Sequence, residues 1–190
     1  MTTPITLDDL VQMKRADHEA ILRAAHPIPR DELGDSAYTG VDLSLPPLAT
    51  RLLWKTFRKT FVRDPDTGQI RGWNVRVEQT GWERATVPRV DSSGRQLTFG
   101  HYLLRSARAE RFPRGWKGED FLDYGTAGNA AFDPARLGWC PLVAVNEGSA
   151  ELLLGWEVFK VGGMFVPLPD YWALRKEGPV GVVVEPPAPR

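Results

Sequence analysis

The stretch Glu151-Leu152-Leu153-Leu154-Gly155-Trp156-Glu157-Val158-Phe159-Lys160-Val161, joined through Gly162-Gly163 to Met164-Phe165-Val166-Pro167-Leu168, decides the fold class. Leu152, Leu154, Trp156 and Val158 recur at period two, the repeat of a pleated strand, and make one continuous apolar face that Lys160 ends. The other face mixes Leu153, Phe159 and Val161 with Gly155 and Glu157, which predicts only partial cover. Two consecutive glycines supply the positive φ that a tight hairpin turn needs. Beyond a Pro-Asp step the second strand resumes with Tyr171, Trp172, Ala173 and Leu174. One wall of an antiparallel sheet follows from these residues.

Working outward, Asp64-Pro65-Asp66-Thr67-Gly68 is a second hairpin turn, because Pro presets φ at the second position and Gly accepts a left-handed one. Before it, Leu53, Phe57 and Phe61 lie on one parity and Trp54, Thr56, Thr60 and Val62 on the other. Leu53, Phe57 and Phe61 also fit helical spacing, but the Thr, Phe and Val content and the turn that follows favour a strand. After the turn, Trp73, Val75 and Val77 alternate with Gly72, Asn74, Arg76 and Glu78. Further strands are predicted at Leu97–Leu103, Phe121–Tyr124 and Pro141–Val145. About seven strands with little room for helices between them make an antiparallel meander. Closing, or nearly closing, such a sheet into a β-barrel removes its edges. A barrel of about eight strands has room inside for packed side chains or one small ligand.

The segment from Thr6 to about Ala25 carries Leu7, Leu10, Val11, Met13, Ala20, Ile21 and Leu22 among charged residues. With Thr6 placed as N-cap and Asp9 three residues on, it predicts one amphipathic helix that Pro27 and Pro29 stop. Arg30 to Leu48, with Tyr38, Gly40, Pro46 and Pro47, reads as an irregular loop over one end of the sheet. The organisation expected is a helix and Pro-rich turn over residues 1–30, a single barrel domain over 31–178, and a Pro-rich tail, frayed or extended, over 179–190.

Lys plus Arg and Asp plus Glu balance at 24 each, so no global field exists to hold a phosphate backbone, and nucleic acid is not expected as a partner. The lone Cys140 cannot make an internal disulfide. No long apolar run or leader-like segment stands out. The expectation is a reduced, cytoplasmic protein without membrane insertion, its oligomeric state left open.

Seven Trp, eight Phe and four Tyr give more aromatic surface than most cores of this size use. Trp54, Trp73 and Trp156 either pack a core or line an apolar cavity. His101 alternates with Phe99 and Leu103, with Tyr102 opposite. If Phe99 and Leu103 face inward so does His101, either as a satisfied core residue or as a base or ligand contact. Asp123-Tyr124-Gly125-Thr126-Ala127-Gly128-Asn129 ends a strand in small residues, where backbone can approach a ligand closely. It could equally be a plain turn with Asn129 capping its own backbone. Asn74 and Arg76 read as solvated surface. The ligand-contact candidates are therefore Trp73, His101, Tyr124, Asn129 and Trp156, with His101 and Asp123 as candidates for acid/base work.

The known nucleophile, phosphate-cradling and zinc motifs are missing. His18 and His26 lie in and just after the helix, and Cys140 has no cluster around it, so neither a metal nor a cofactor is expected. Cys140 could be nucleophilic only beside a base; otherwise it is a small buried hydrophobe.

The strand pair at 151–174 and the run from Trp54 to Phe61 resemble calycin-like, lipocalin-type barrels. Pro141-Leu142-Val143-Ala144-Val145, continuing through Leu153-Leu154-Gly155 to Pro167 and Trp172-Ala173-Leu174-Arg175-Lys176, also resembles the C-terminal piece of an uncharacterised bacterial family in which it follows a small Gly-x-Trp-x-Gly domain. Trp54-Lys55-Thr56-Phe57 to Phe61 would be the counterpart of that domain. Gly-x-Trp-x-Gly itself is absent here, and Tyr38-Thr39-Gly40 would be a remnant of a barrel-opening turn. The resemblance implies a small-molecule-binding barrel of unknown ligand, with no catalytic residues to carry over, and the reading adopted is a barrel that binds a small apolar or amphipathic molecule. Two alternatives stay open: a cofactor-free isomerase or lyase with His101 as acid/base, and a filled barrel that serves as a protein-interaction module.

Overall fold

Eight antiparallel strands close into a barrel in simple sequence order. The structure, a computed structural model, describes residues 3–44 and 56–186. The strands are β1 (Ser36–Asp42), β2 (Thr56–Arg63), β3 (Ile70–Val75), β4 (Thr98–Ser106), β5 (Asp120–Asp123), β6 (Trp139–Ala144), β7 (Leu152–Val161) and β8 (Met164–Pro179). Each pairs with the next, and β1 pairs with β8 to seal the sheet. The fold class is thus the closed antiparallel meander that the strand spacing predicts.

Both hairpin turns form as their residues dictate. Gly162 and Gly163 take φ of 56° and 84°, the two positive values of a turn whose twist matches its strands. In the β2–β3 turn the Asp64 carboxylate accepts from the Thr67 amide at 2.8 Å and from its hydroxyl at 2.8 Å. The Pro-Asp step in β8 is a wide irregularity: Trp156 pairs with Tyr171 but Val158 with Pro167. Trp156 Nε1 donates to the Leu168 carbonyl at 2.9 Å across it.

The interior is filled by one parity from every strand. Tyr38, Phe61, Ile70, Tyr102, Leu104, Leu122, Leu142, Leu153 and Leu174 form a single apolar cluster there. Ile28 and Leu33, from the turn and short helix α3 (Arg30–Leu33), join that cluster and close one end. At this closed end Arg30 pairs with the buried Asp120, and Tyr38 donates its hydroxyl hydrogen to the Ala150 carbonyl at 3.0 Å.

Three of the inward positions are glycines facing an aromatic residue in the adjacent strand: Gly40 with Phe57, Gly72 with Tyr102, and Gly155 with Trp172. A Cβ at any of the three would overlap that neighbour's ring. The ring lies across the bare backbone, so these glycines make room for aromatics that a larger residue would expel.

Several expectations need correction. Arg30–Leu48 is not an irregular loop over its described part, because Ser36–Asp42 is β1, and Tyr38-Thr39-Gly40 is mid-strand rather than a turn remnant. Gly40, within that stretch, is one of the ring-accommodating positions. The N-terminal helix is two helices, α1 (Leu7–Gln12) and α2 (Arg15–Ala24), parted by extended backbone at Met13 and Lys14. Asp17 accepts from the Lys14 amide at 2.9 Å and so starts a new helix inside the predicted one. At the break the Leu10 carbonyl accepts from the Met13 amide at 3.3 Å and is also met by His18 Nε2 at 2.9 Å.

The face of Leu152, Leu154, Trp156 and Val158 points outward, where Leu7, Leu10, Val11 and Leu22 of the two helices cover it. The weaker face, Leu153, Gly155 and Glu157, points into the barrel. The tail is tied down over its described part rather than frayed: Val180 and Val184 pack on Trp73, Val62 and Val75, and Arg71 donates to the Val184 carbonyl at 2.7 Å. Leu53, Trp54, Pro46 and Pro47 lie outside the described residues. Among the described residues, no helix is long and apolar enough to cross a membrane.

Candidate functional site

The side chains of β2 set up the site. Phe57, Lys59 and Phe61 share the inward parity, so a strand built to put two phenyl rings in the barrel puts an ammonium group between them. Lys59 is 3% exposed. Its Nζ donates to Asn74 Oδ1 at 2.7 Å and to the Tyr124 hydroxyl at 2.6 Å. Four rings surround the same nitrogen, with centroids at 4.6 Å (Trp172), 4.8 Å (Tyr102), 5.3 Å (Tyr124) and 5.4 Å (Phe57). Ring faces attract a cation, and two hydrogen bonds replace part of its lost water. Burial still dominates: it holds the Lys59 amine down to about 8, although Cys140 and Glu157 pull the other way.

Opposite Lys59, Glu157 and Cys140 reach into the barrel from β7 and β6. The Cys140 thiol donates to Glu157 Oε2 at 3.4 Å. Burial raises the Glu157 carboxyl, with the Lys59 charge opposing it, and raises the Cys140 thiol well above its usual range. Cys140 is thus a buried thiol kept protonated, not an activated nucleophile. Burial likewise keeps the Tyr124 and Tyr102 hydroxyls protonated.

A cavity of about 350 Å³ opens onto this cluster at the end of the barrel away from α3. Phe57, Phe99, Trp172 and Ala135 give it apolar walls; Lys59, Asn74, Tyr124 and Glu157 are its polar inner groups, with Asp42 and Asp170 near the rim. The size falls in the usual range for small-molecule sites, about 300–1,000 Å³. The barrel is therefore half filled: packed solid beside α3 and hollow at the mouth.

Of the sequence-derived ligand candidates, Tyr124 lines this cavity and the other four do not. His101 faces outward and Tyr102 inward, the reverse of the alternation argued from Phe99. The reason is a bulge: β4 slips register opposite Gly72–Asn74, and Gly100 takes a φ of 53°, so Phe99 remains at the cavity while His101 turns out. There His101 lies 6.2 Å from the Trp73 ring beneath the C-terminal tail. Burial, and secondarily Arg71, push the His101 imidazole below its ordinary value. Trp156 belongs to the outer core under the helices, with Arg114 at 5.2 Å over its ring.

Asn129 is a structural clamp. It accepts from the His101 amide at 2.8 Å and donates to the carbonyls of His101 at 2.7 Å and Tyr124 at 2.8 Å. Asp123 is fully engaged too, with Arg105 at 2.8 Å and the Gly125 amide at 2.8 Å. His101 and Asn129 do line a larger groove of about 790 Å³ outside the barrel. The small-residue loop 125–131 supplies part of its wall, and of its two buried polar side chains, His101 and Asn129, the second is fully used by the backbone.

Lys59, Asn74, Glu157 and Trp172 were not among the sequence candidates. Parity could have found Lys59, since it shares a face with Phe57 and Phe61. Asn74 was assigned to solvent because it opposes Trp73, but in β3 it is the tryptophan that faces out. Among the described residues, no group of three or more His, Cys, Asp or Glu is placed to hold a metal ion.

Fold and cavity together define a closed eight-stranded barrel with one hollow end and an amine at its base. Compared with protein families, curated proteins and solved structures, the chain gives no match.

Proposed function

We propose that the protein binds a small amphipathic molecule in the mouth of the barrel. The apolar part of the molecule lies against Phe57, Phe99 and Trp172, and its polar end meets Lys59, Tyr124 and Asn74. The observation that carries this reading is the placement of Lys59, a buried amine at the base of a cavity walled by Phe57, Phe99 and Trp172, with Asn74, Tyr124 and Glu157 beside it. A buried cation is costly to stability, and a well-packed apolar residue would do as well or better as filler, so a group placed there is best explained by what it contacts. The half-hollow interior supports binding over the filled interaction module. The balanced charge supports a small molecule over nucleic acid. Consecutive strand order in a closed eight-stranded barrel supports kinship with calycin-like barrels, and the unpaired Cys140 supports a reducing, cytoplasmic setting.

An isomerase or lyase centred on His101 has less support, because His101 lies outside the barrel and Asp123 is committed to Arg105 and a turn. The test is native mass spectrometry of freshly purified protein, followed by tryptophan quenching with one- and two-ring amphipathic probes. A co-purified adduct lost on denaturation, or saturable 1:1 quenching that weakens in Lys59→Met, is the expected result. A clean mass with no quenching by any probe would overturn the reading.

A further inference from the structure

We infer that Lys59 is the attachment point for a carbonyl compound, and that the cavity takes an apolar aldehyde or ketone and holds it as a reversible imine on Lys59 Nζ. This rests on the cavity's being a binding site and adds the chemical class of its occupant. Three structural features support it. Nζ sits at the inner wall of a cavity that also presents Trp172, Phe57 and Phe99, with Asn74 and Glu157 beside the amine, so a carbonyl carbon brought to the amine has its apolar substituent on those three rings. The hydroxyl of Tyr124 lies 2.6 Å from the same nitrogen, within reach of both the amine and the oxygen that must leave. Among the described residues the end beside α3 is apolar packing, so the amine is reached from the mouth that the ligand itself would fill.

The chemistry balances without any other reagent. The neutral amine adds its lone pair to the carbonyl carbon, forming the C–N bond while the C=O π pair moves onto oxygen. A nitrogen proton passes to that oxygen through Tyr124, giving the carbinolamine. Loss of the hydroxyl with one further proton, again relayed by Tyr124, forms C=N and releases one water. Tyr124 ends as it began, and burial keeps it protonated. Desolvation is the established means of making a lysine nucleophilic near neutral pH. With its amine held down to about 8, about a quarter of Lys59 is free base at pH 7.5, against about one in a thousand for an ordinary lysine. The groups facing it are Tyr102, Tyr124, Cys140 and Glu157, with Asp42 and Asp170 lining the same cavity.

The experiment uses the full chain with trans-cinnamaldehyde as probe and trans-cinnamate as its non-condensing analogue. Each is mixed with the protein at pH 7.5, binding is followed by tryptophan quenching, and cyanoborohydride then traps any imine for peptide mapping. The expected result is one adduct per chain, on Lys59, formed at least about tenfold faster than on Lys14, Lys55, Lys117, Lys160 or Lys176. Lys59→Arg and Lys59→Met, each checked for a native circular dichroism spectrum, should both lose it. Quenching by both probes with Lys59 left unlabelled, or labelled no faster than the other lysines, would overturn the imine and leave the binding cavity standing. No quenching and no labelling of Lys59 would overturn both.

Discussion

Replacing Lys59 by Met tests the energetics of the site with little change in shape, since both side chains are long and unbranched. An amine that titrates at about 8 in the fold and at 10.5 in the unfolded chain costs about 3 kcal/mol wherever it must be charged. The cost is fully present below pH 8. Between pH 8 and 10.5 the unfolded chain binds more protons than the folded one, so this group makes stability rise with pH and its cost fades. Lys59→Met removes the cost and forfeits two hydrogen bonds, on Asn74 and Tyr124, each worth about 1 kcal/mol. At pH 7 the variant should therefore be as stable as the parent or about 1 kcal/mol more stable.

The difference between the two proteins should then move by about 3 kcal/mol in favour of the parent as pH rises to 10.5. Taking the difference cancels most of what Tyr102, Tyr124, Cys140 and Glu157 do on their own, because they titrate in both proteins. The assay is urea unfolding of both at half-unit steps from pH 7 to 10.5. A difference flat to within about 0.5 kcal/mol across that range would refute the reasoning and mean that Lys59 is not a desolvated amine.

The ring-accommodating glycines should respond in a fixed order: Gly72→Ala should melt lower than Gly155→Ala, because the new methyl meets the Thr60 carbonyl as well as the Tyr102 ring, whereas at 155 it meets Trp172 ring atoms. Overpacking of this kind costs about 1–3 kcal/mol, and thermal melts of both variants would rank them. Asn129→Ala removes three buried hydrogen bonds to the β4 bulge and the Tyr124 carbonyl; it should lose about 2–3 kcal/mol by urea unfolding while the folded protein still binds probes in the cavity. His101→Gln should leave cavity binding unchanged by tryptophan quenching, since the imidazole faces away from the barrel; a large loss of affinity would revive a site built on His101.

Much of the fold was legible because turns and strand periodicity are local. Asp64–Gly68 and Gly162-Gly163 declare their hairpins, and Trp73, Val75 and the 152–158 run declare their strands. Parity, however, says only which residues share a face, not which face is inside. In β7 the more apolar face went outward because helices α1 and α2 cover it, and the interior took the face with Gly155 and Glu157. The same inversion in β3 hid Asn74 and promoted Trp73. β1 is hidden because Tyr38 and Gly40 lie in a stretch that Pro46 and Pro47 make read as a loop, and Gly40 shows its packing role only when Phe57 lies across it. At His101 the error came from one bulge, since a single positive φ at Gly100 shifts everything after it to the opposite face. The site was hardest to read because its lining comes from six strands, β1 to β4, β7 and β8, with Tyr124 and Ala135 from connections, and because parity alone does not say that the face shared by Phe57, Lys59 and Phe61 is the inner one.

The most direct test of the binding cavity is amide and side-chain NMR of the full chain titrated with an amphipathic aromatic probe such as anilinonaphthalene sulfonate. Saturable 1:1 shifts centred on Phe57, Lys59, Asn74, Tyr124 and Trp172 are predicted. Shifts centred on His101 and Asn129 in the outer groove, or none that saturate, would contradict the account.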